Sequence, residues 1–346
     1  MKKTNILSTL LAIFCFCILK AQDTRVAQSY ANPLRINPAI MGINTDLKFV
    51  FNYRSQWASI GNGYKTLSFT GMCPVFINSG KSKLDIGVSA FEDKAGAFST
   101  FDGVISLDYN LEIAKNNFLT VALLAGMVQK SLNLNGQTFD HQYVNGSYDA
   151  SNAIQESFSK SETHPDVGFG FMWFLNPDRK TSPLNAFAGL SAYHLNKPNE
   201  TLLAGNAALP VKYGCQAGVK IFGANKIDFS PNFRMTMQAG NSEVALGTYM
   251  DYNFTENSKL VLGAWYRMHD AFAVLLGFEH KNFTIGYSYD MINTTLSKVA
   301  PVVNAHELTL SLKFSRLSKA KGASFGADEK GNSAPPSVRT SPLSSF

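Results

Sequence analysis

Strict alternation of apolar and polar side chains is the feature that most constrains the fold of this chain. The runs "LDIGVSA" (residues 84–90), "TIGYSYD" (284–290) and "LTLSLKF" (308–314) each repeat with a period of two residues. Successive side chains of a β-strand point to opposite faces of a sheet, so each run predicts a strand with one apolar and one polar face. Charges such as Asp85 and Lys313 on the polar face indicate that this face is wet or ion-paired, because an unpaired charge is costly in a dry core.

About fourteen such runs occur, and most are roughly ten residues long, the length that a tilted strand needs to cross a bilayer. They begin near residues 47, 65, 83, 100, 117, 166, 186, 211, 226, 242, 258, 270, 282 and 304. After residue 21 no stretch of about eighteen apolar residues follows, which excludes a helical membrane protein. The aromatic content of 12% is high and the charged content of 16% is low. The predicted fold is therefore all-β, a transmembrane antiparallel up-and-down β-barrel of about 14 strands.

The lengths of the connections predict how this barrel is oriented. Bacterial barrels have short periplasmic turns and longer extracellular loops. If the N-terminus is periplasmic, the long connections 129–165, 195–210 and 293–303 all fall on the extracellular side. An even number of strands returns the chain to the side on which it started, so both termini are predicted to be periplasmic.

Composition divides the chain into four parts. Residues 1–21 have a positive start, an apolar stretch and a small last residue, Ala21, which are the features of a secretory signal peptide. Residues 22–46 form a lead-in with two Asn-Pro pairs, and residues 47–314 form the barrel. Residues 315–346 are rich in Ser, Gly, Pro and Lys, which predicts a disordered periplasmic tail. A signal peptide followed by a barrel predicts location in the cell outer membrane.

No arrangement of residues in the sequence points to catalysis or to a cofactor. The six histidines belong to no recognised nucleophile motif, and no GxSxG, CxxC or EF-hand spacing occurs. Cys73 and Cys215 lie in separate strand-like runs, where they could pair but have no metal-binding spacing. The pI near 9.0 comes from scattered Lys and Arg, much of it at the two ends of the chain, so nucleic acid is not predicted as a partner. We expect a non-enzymatic protein without a metal or cofactor.

The lead-in contains two rigid steps, Asn32-Pro33 and Asn37-Pro38. Proline fixes its own φ and biases the residue before it towards an extended conformation, and Asn side chains stabilise turns by bonding to nearby backbone. We therefore expect a stiff, folded segment that pairs with no strand of the barrel. Two interpretations remain open, a loop that caps the periplasmic rim or an element that docks a partner or plugs the barrel.

Two stretches near the predicted mature N-terminus carry a family resemblance. The segment "SYANPLRINPAIMG" followed by "NYRSQW" resembles the start of the PorP/SprF family, barrel proteins tied to type IX secretion and gliding in the Bacteroidetes. The matching positions are Tyr30, Asn32, Pro33, Leu34, Asn37, Pro38, Ala39, Gly42, Tyr53, Arg54, Gln56 and Trp57. The resemblance makes these residues candidates for family-specific contacts or partner docking. It ends near Phe314, because relatives usually lack the tail that follows here.

The resemblance implies a non-enzymatic outer-membrane component of type IX secretion. Such a component supports the export or surface attachment of a cell-surface adhesin, or it anchors periplasmic machinery, and nothing in the sequence selects between these roles. The partners it implies are outer-membrane lipids, other type IX secretion components or a secreted adhesin, and periplasmic peptidoglycan-associated proteins. The alternative function is a small-solute porin of the outer membrane.

Charged residues on the predicted inner face bear on this alternative. Side chains can fill much of the lumen of a barrel of this size. Asp228, Arg234, Arg267 and Asp290 are predicted to face inward, where they could form a charge network that closes the lumen. Such a network would favour a closed component over an open porin.

Overall fold

Fourteen antiparallel strands close into one barrel in the computed structural model. It describes residues 31–44, 46–58, 63–77, 82–134, 137–144, 146–149, 159–177, 182–202, 205–223, 226–255, 257–293 and 304–314. The predicted signal peptide, Tyr30 and the tail 315–346 lie outside the described residues. The barrel strands are β1 (Leu47–Gln56), β2 (Tyr64–Ile77), β3 (Ser82–Ala95), β4 (Phe98–Ala114), β5 (Asn117–Leu132), β8 (Ser161–Leu175), β9 (Leu184–Tyr193), β10 (Lys212–Phe222), β11 (Ile227–Gln238), β12 (Asn241–Thr255), β13 (Ser258–Arg267), β14 (Ala271–His280), β15 (Phe283–Ile292) and β16 (Asn304–Phe314). A small hairpin, β6 (Tyr143–Val144) and β7 (Ser147–Tyr148), lies between β5 and β8.

Each barrel strand pairs with the barrel strands before and after it in sequence, and β1 pairs with β16 to close the sheet. Leu47 lies opposite Phe314 and Gln56 opposite Ala305, so the closing ladder runs along the whole of β1. The predicted all-β class, antiparallel topology and strand number are confirmed. The largest error in a predicted strand start is at β8, which begins at Ser161 instead of near residue 166.

The two ends of the barrel differ in the lengths of their connections. One end, which we call the turn end, contains the first residue of β1 and the last residue of β16. The connections between strands at this end are short, and the longest of them is residues 176–183. The opposite end, the loop end, carries the long connections 133–160, 194–211 and 293–303. The connection 194–211 is not a free surface loop, because His194 and Leu209 within it are buried.

The two faces of the sheet differ in the way that the alternation predicts. On β4, Ile105, Leu107 and Tyr109 point outward and are exposed, whereas Asp102 and Asp108 point inward and are buried. The same division holds around the barrel, so its outer surface is apolar and its lumen is polar. This is the arrangement required for a barrel surrounded by lipid, whose backbone groups are all paired between strands. Among the described residues, no helix is both long enough and apolar enough to cross a membrane.

The lead-in lies inside this barrel. Helix α1 (Pro33–Ile36) and a 3-10 helix (Pro38–Ile43) precede β1, and their side chains are mostly buried. The 3-10 helix contacts β3, β4, β5 and β8. The core of the molecule therefore lies between the lead-in and the inner wall of the barrel.

We predict that the turn end faces the periplasm and the loop end faces the outside of the cell. An epitope tag inserted after Gly146, in the turn of the β6–β7 hairpin, should be stained by antibody on intact cells. A tag appended to Phe346 should be stained only after the outer membrane has been permeabilised. Staining of the Phe346 tag but not the Gly146 tag on intact cells would reverse the orientation.

Candidate functional site: a plug across the lumen

Residues 31–44, which we call the plug, fill the barrel lumen. Ala31, Asn32, Leu34, Ala39 and Met41 are each 0% exposed. Since none of these residues belongs to a strand, their burial comes from the surrounding wall. The predicted alternative of a cap at the periplasmic rim is therefore wrong, and the plug alternative describes where the segment lies.

The two Asn-Pro pairs set the local conformation of the plug. Pro33 and Pro38 each occupy the first turn of a short helix, where proline's fixed φ is suitable and its missing N–H is not needed. Asn37 between the helices is extended, with φ −158° and ψ 119°, as expected for a residue before proline. Its side-chain oxygen accepts a hydrogen bond of 2.9 Å from the backbone N–H of Ala39, which caps the 3-10 helix. Each pair thus ends one segment and begins a helical turn.

The amide of Asn37 also anchors the plug to the wall. Its Nδ2 donates to the carbonyl oxygens of Phe171 on β8 at 3.2 Å and of Leu190 on β9 at 3.0 Å. Gly170 and Gly189 make this approach possible. A Cβ on Gly170 would lie 2.4 Å from Asn37 Oδ1, and one on Gly189 would lie 2.9 Å from Asn37 Nδ2. A side chain at either glycine would displace Asn37.

Wall side chains bind the backbone of the plug. Tyr193 donates its hydroxyl to the carbonyl of Leu34 at 2.6 Å, and Ser191 donates to the carbonyl of Ile36 at 2.8 Å. Lys83 on β3 donates to the carbonyl of Met41 at 3.2 Å and to that of Asn44. The carbonyls of Leu34 and Ile36 lie at the end of a short helix, so the contacts with Tyr193 and Ser191 satisfy groups that would otherwise be buried unpaired. The Met41 carbonyl also accepts from the backbone N–H of Asn44 at 2.8 Å, so Lys83 adds a second donor to it.

One ion pair ties the plug to β4. Arg35 Nη1 lies 2.9 Å from Asp102 Oδ2, and the Arg35 guanidinium lies 3.9 Å from the centroid of the Phe91 ring. Both charged side chains are largely buried, so removing one partner would leave an uncompensated charge inside the barrel.

Apolar contacts join the plug to opposite walls. Ala31 packs in a cluster with residues of β12, β13 and β14, among them Tyr249 and Trp265. Ala39, Ile40 and Ile43 pack in a second cluster with side chains of β5, β8 and β9: Phe118, Ala122, Met172, Phe174 and Phe187. Gly42 has no room for a side chain, because a Cβ there would lie 2.0 Å from Thr120 Oγ1. The plug therefore crosses the lumen and contacts walls on both sides.

The second predicted motif, "YRSQW", begins on β1 and places two residues, Arg54 and Gln56, on the inner face of the barrel. Arg54 is buried and donates to Glu307 at 3.1 Å, Asp290 at 2.9 Å and Gln56 at 3.2 Å. Tyr53 points the other way and is exposed on the outer face. Trp57 follows the strand at the loop end, where its ring lies 4.8 Å from that of Tyr64. The motif therefore combines a lumenal arginine with aromatic residues on the outer surface and at the loop end.

The four residues predicted to form a lumenal network do not form one network. All four point into the lumen, but only Arg267 and Asp290 bind each other, at 3.0 Å, and they share this site with Arg54. Arg234 lies 3.3 Å from Glu243. Asp228 accepts from Asn253 at 3.1 Å and lies 4.0 Å from Lys220.

These residues are separated because they lie at different heights along the barrel axis. Asp228 is the second residue of β11 at the turn end, whereas Arg267 is the last residue of β13 at the loop end. Alternation specifies the face of the sheet on which a residue lies but not its distance from residues of other strands.

Several residues that hold the plug were not identified from the sequence as its contacts. Lys83, Asp102 and Ser191 occupy inward positions of their strands, so the alternation placed them in the lumen. It gave no sign that they meet the lead-in. Gly170 interrupts an otherwise bulky run, "FGFMWF", and Gly189 lies among small residues in "FAGLSAY". A glycine within a strand is the one local signal of a close backbone approach at these positions.

Metal and disulfide chemistry are not evident in the part of the chain that the structure describes. No group of three or more His, Cys, Asp and Glu residues there is arranged to hold a metal ion. Cys73 and Cys215 are free thiols on β2 and β10.

The closed sheet, apolar outer surface and polar lumen define the chain as an outer-membrane β-barrel. A family model described as "Type IX secretion system membrane protein PorP/SprF" matches residues 18–312. The chain therefore belongs to the PorP/SprF family of type IX secretion membrane proteins. A search of curated proteins found no match.

Solved structures with a similar fold are barrels of low sequence identity. The CymD monoaromatic hydrocarbon channel is 11% identical with a TM-score of 0.50, over 86% of this chain and 95% of CymD. A FadL homologue of Pseudomonas aeruginosa is 11% identical with a TM-score of 0.48, over 81% of this chain and 92% of the homologue. The toluene transporter TodX of Pseudomonas putida is 8% identical with a TM-score of 0.46, over 86% of this chain and 99% of TodX. At these identities the likeness concerns the fold alone.

The Asn37 anchor can be tested with one substitution. Asn37→Asp keeps the oxygen that caps the 3-10 helix but replaces the amide donor with an acceptor next to two wall carbonyls. We expect a loss of about 1–3 kcal/mol in the free energy of unfolding. The folded barrel should then convert to the unfolded band on SDS gels at a lower temperature.

Asn196→Asp is the matched control. Asn196 also donates to a strand carbonyl, that of Pro165 at 2.7 Å, but it is exposed. Its substitution should shift the transition much less, because water replaces the lost bond. Equal shifts for the two variants would show that the Asn37 contact does not stabilise the barrel.

Proposed function

We propose that this chain is a closed, non-enzymatic outer-membrane component of type IX secretion that supports the export or surface attachment of a cell-surface adhesin. A related role for the same closed barrel is to anchor periplasmic parts of the secretion machinery. Membership of the PorP/SprF family supports both roles. The expected partners are outer-membrane lipids, other type IX components or the adhesin, and periplasmic peptidoglycan-associated proteins.

The observation that carries the proposal is the plug. A solute path requires a continuous wet passage, but here a segment of the same chain crosses the lumen and packs against both walls. Its charged and polar contacts are buried and specific, as in Arg35 with Asp102 and Asn37 with two strand carbonyls. A barrel that holds a built-in plug of this kind is suited to act as a scaffold.

The alternative function, a small-solute porin, requires the plug to move aside. The likeness to the CymD channel concerns the fold and brings no substrate with it. Because the plug is held by wall residues on β3, β4, β8 and β9, its movement would break at least one buried ion pair and several hydrogen bonds. We therefore favour the secretion role.

The proposal can be tested by deleting the gene in its host and restoring it with wild-type or plug-variant copies. The deletion strain should lose type IX adhesin from the cell surface, measured by protease shaving and immunoblot, while its uptake of small sugars and amino acids stays unchanged. Loss of one adhesin would indicate a dedicated partner role, and loss of all type IX cargo would indicate a core role.

A plug variant tests whether the plug itself is needed, and it is compared with wild type at equal barrel levels on an immunoblot. Arg35→Met removes the cation bound by Asp102 without adding bulk. If the closed barrel serves as a scaffold, this variant should reduce adhesin display at normal barrel levels. Slower solute uptake together with normal adhesin display in the deletion strain would replace the secretion role with the porin role.

A further inference from the structure

A buried charge cluster lies beneath the plug near the turn end of β3 and β4. Lys83 and Asp85 on β3 are each 1% exposed, and Asp108 on β4 is 0% exposed. Asp85 and Asp108 are direct partners in the β3–β4 ladder, so their side chains lie side by side on the inner face. The 3-10 helix of the plug covers this region through the contacts of Lys83 with Met41 and Asn44.

The charges in this cluster do not balance. Lys83 lies 3.0 Å from Asp85, which accounts for one carboxylate. Neither oxygen of Asp108 receives a hydrogen bond from the surrounding protein. Asp85 and Lys83 face Asp108 from β3, and its partner on β5 is the uncharged Ala122. Two ionised carboxylates and one ammonium would leave an uncompensated negative charge away from water, which is strongly unfavourable.

We propose that Asp108 carries a bound proton, which it donates to Asp85 in a carboxylic acid–carboxylate hydrogen bond. Asp85 and Asp108 are direct cross-strand partners on the inner face, and two carboxylates offer no donor to each other unless one of them is protonated. Asp85 then stays ionised and balances Lys83. Lys83 remains free to donate its other protons to the carbonyls of Met41 and Asn44, so the proton on Asp108 supports the contact that holds the end of the plug.

Asp102 shows the contrasting case on the same strand. It also points inward from β4 and is buried, but it has a cation, Arg35, at 2.9 Å. An ionised carboxylate is therefore balanced at Asp102 and unbalanced at Asp108. This difference makes Asp102 a matched control for any substitution at Asp108.

The bound proton gives the folded barrel a defined pH dependence. The folded state keeps a proton on Asp108 at neutral pH, whereas the unfolded chain releases it, because an exposed aspartate ionises near pH 4. Folded protein therefore binds more protons than unfolded protein, and the stability from this site falls as pH rises above about 4. This pH dependence holds whether or not the barrel takes part in secretion.

The test compares Asp108→Asn with Asp102→Asn in the full-length barrel, using the rate of unfolding in SDS at a fixed temperature. Asparagine mimics a neutral acid, so Asp108→Asn should match wild type near pH 5 and unfold more slowly than wild type at pH 9. Asp102→Asn should unfold faster than wild type by about tenfold or more at neutral pH, because it leaves the buried Arg35 without its ion-pair partner. Wild type and Asp102→Asn should share a pH slope that Asp108→Asn has lost.

Two further measurements on the wild-type barrel test the bound proton even if a variant folds poorly. Infrared spectra of the wild-type barrel at pH 8 should contain the carbonyl band of a neutral carboxylic acid, and the band should be absent from Asp108→Asn. Replacing all sodium with choline, with choline dodecyl sulfate as the detergent, and adding EDTA as its choline salt should leave the wild-type unfolding rate unchanged. A rate that depends on sodium or on chelation, an absent acid band, or an Asp108→Asn variant as unstable as Asp102→Asn would each overturn the bound proton.

Discussion

The closed hydrogen-bonded ladder of fourteen strands is the constraint on which the rest of the structure depends. Closure satisfies the backbone in lipid without free edges, and it encloses a lumen lined by every second residue. Barrels of about eight strands are filled by their own side chains, whereas those of sixteen or more leave a channel. A barrel of intermediate size needs additional atoms to close its lumen. Here the plug, residues 31–44, supplies them.

The plug is held more by the wall than by its own structure. Its helices have four and six residues, too short to be stable alone. Prolines fix the two helical starts, and wall side chains bind the buried carbonyls of Leu34, Ile36 and Met41. Because the wall supplies donors and the glycines supply space, plug and barrel form one folding unit. The hold of the wall on the plug also depends on a proton. The Lys83 ammonium, which binds the plug, is balanced by Asp85 alone only when Asp108 is neutral.

Much of the fold could be predicted from the sequence, but the site could be predicted only in part. Period-two alternation gave the strand number and the inward face, because both depend on local geometry. The Asn-Pro pairs predicted a segment outside the ladder, and residues 33–43 belong to no strand. Its position inside the lumen could not be deduced, because that depends on contacts between residues more than a hundred positions apart, such as Asn37 with Phe171 and Leu190. For the same reason the predicted grouping of Asp228 with Arg267 was wrong. Both face inward, but they lie at opposite ends of the barrel.

Single-channel recording in planar bilayers shows whether the plug closes the lumen. The purified wild-type barrel should show no large, steady conductance. A variant that lacks residues 31–44, with the signal peptide kept, should conduct steadily when it inserts, because the segment that crosses between the walls is gone. A wild-type barrel that opens to a large and steady conductance would contradict the account, whatever the variant does.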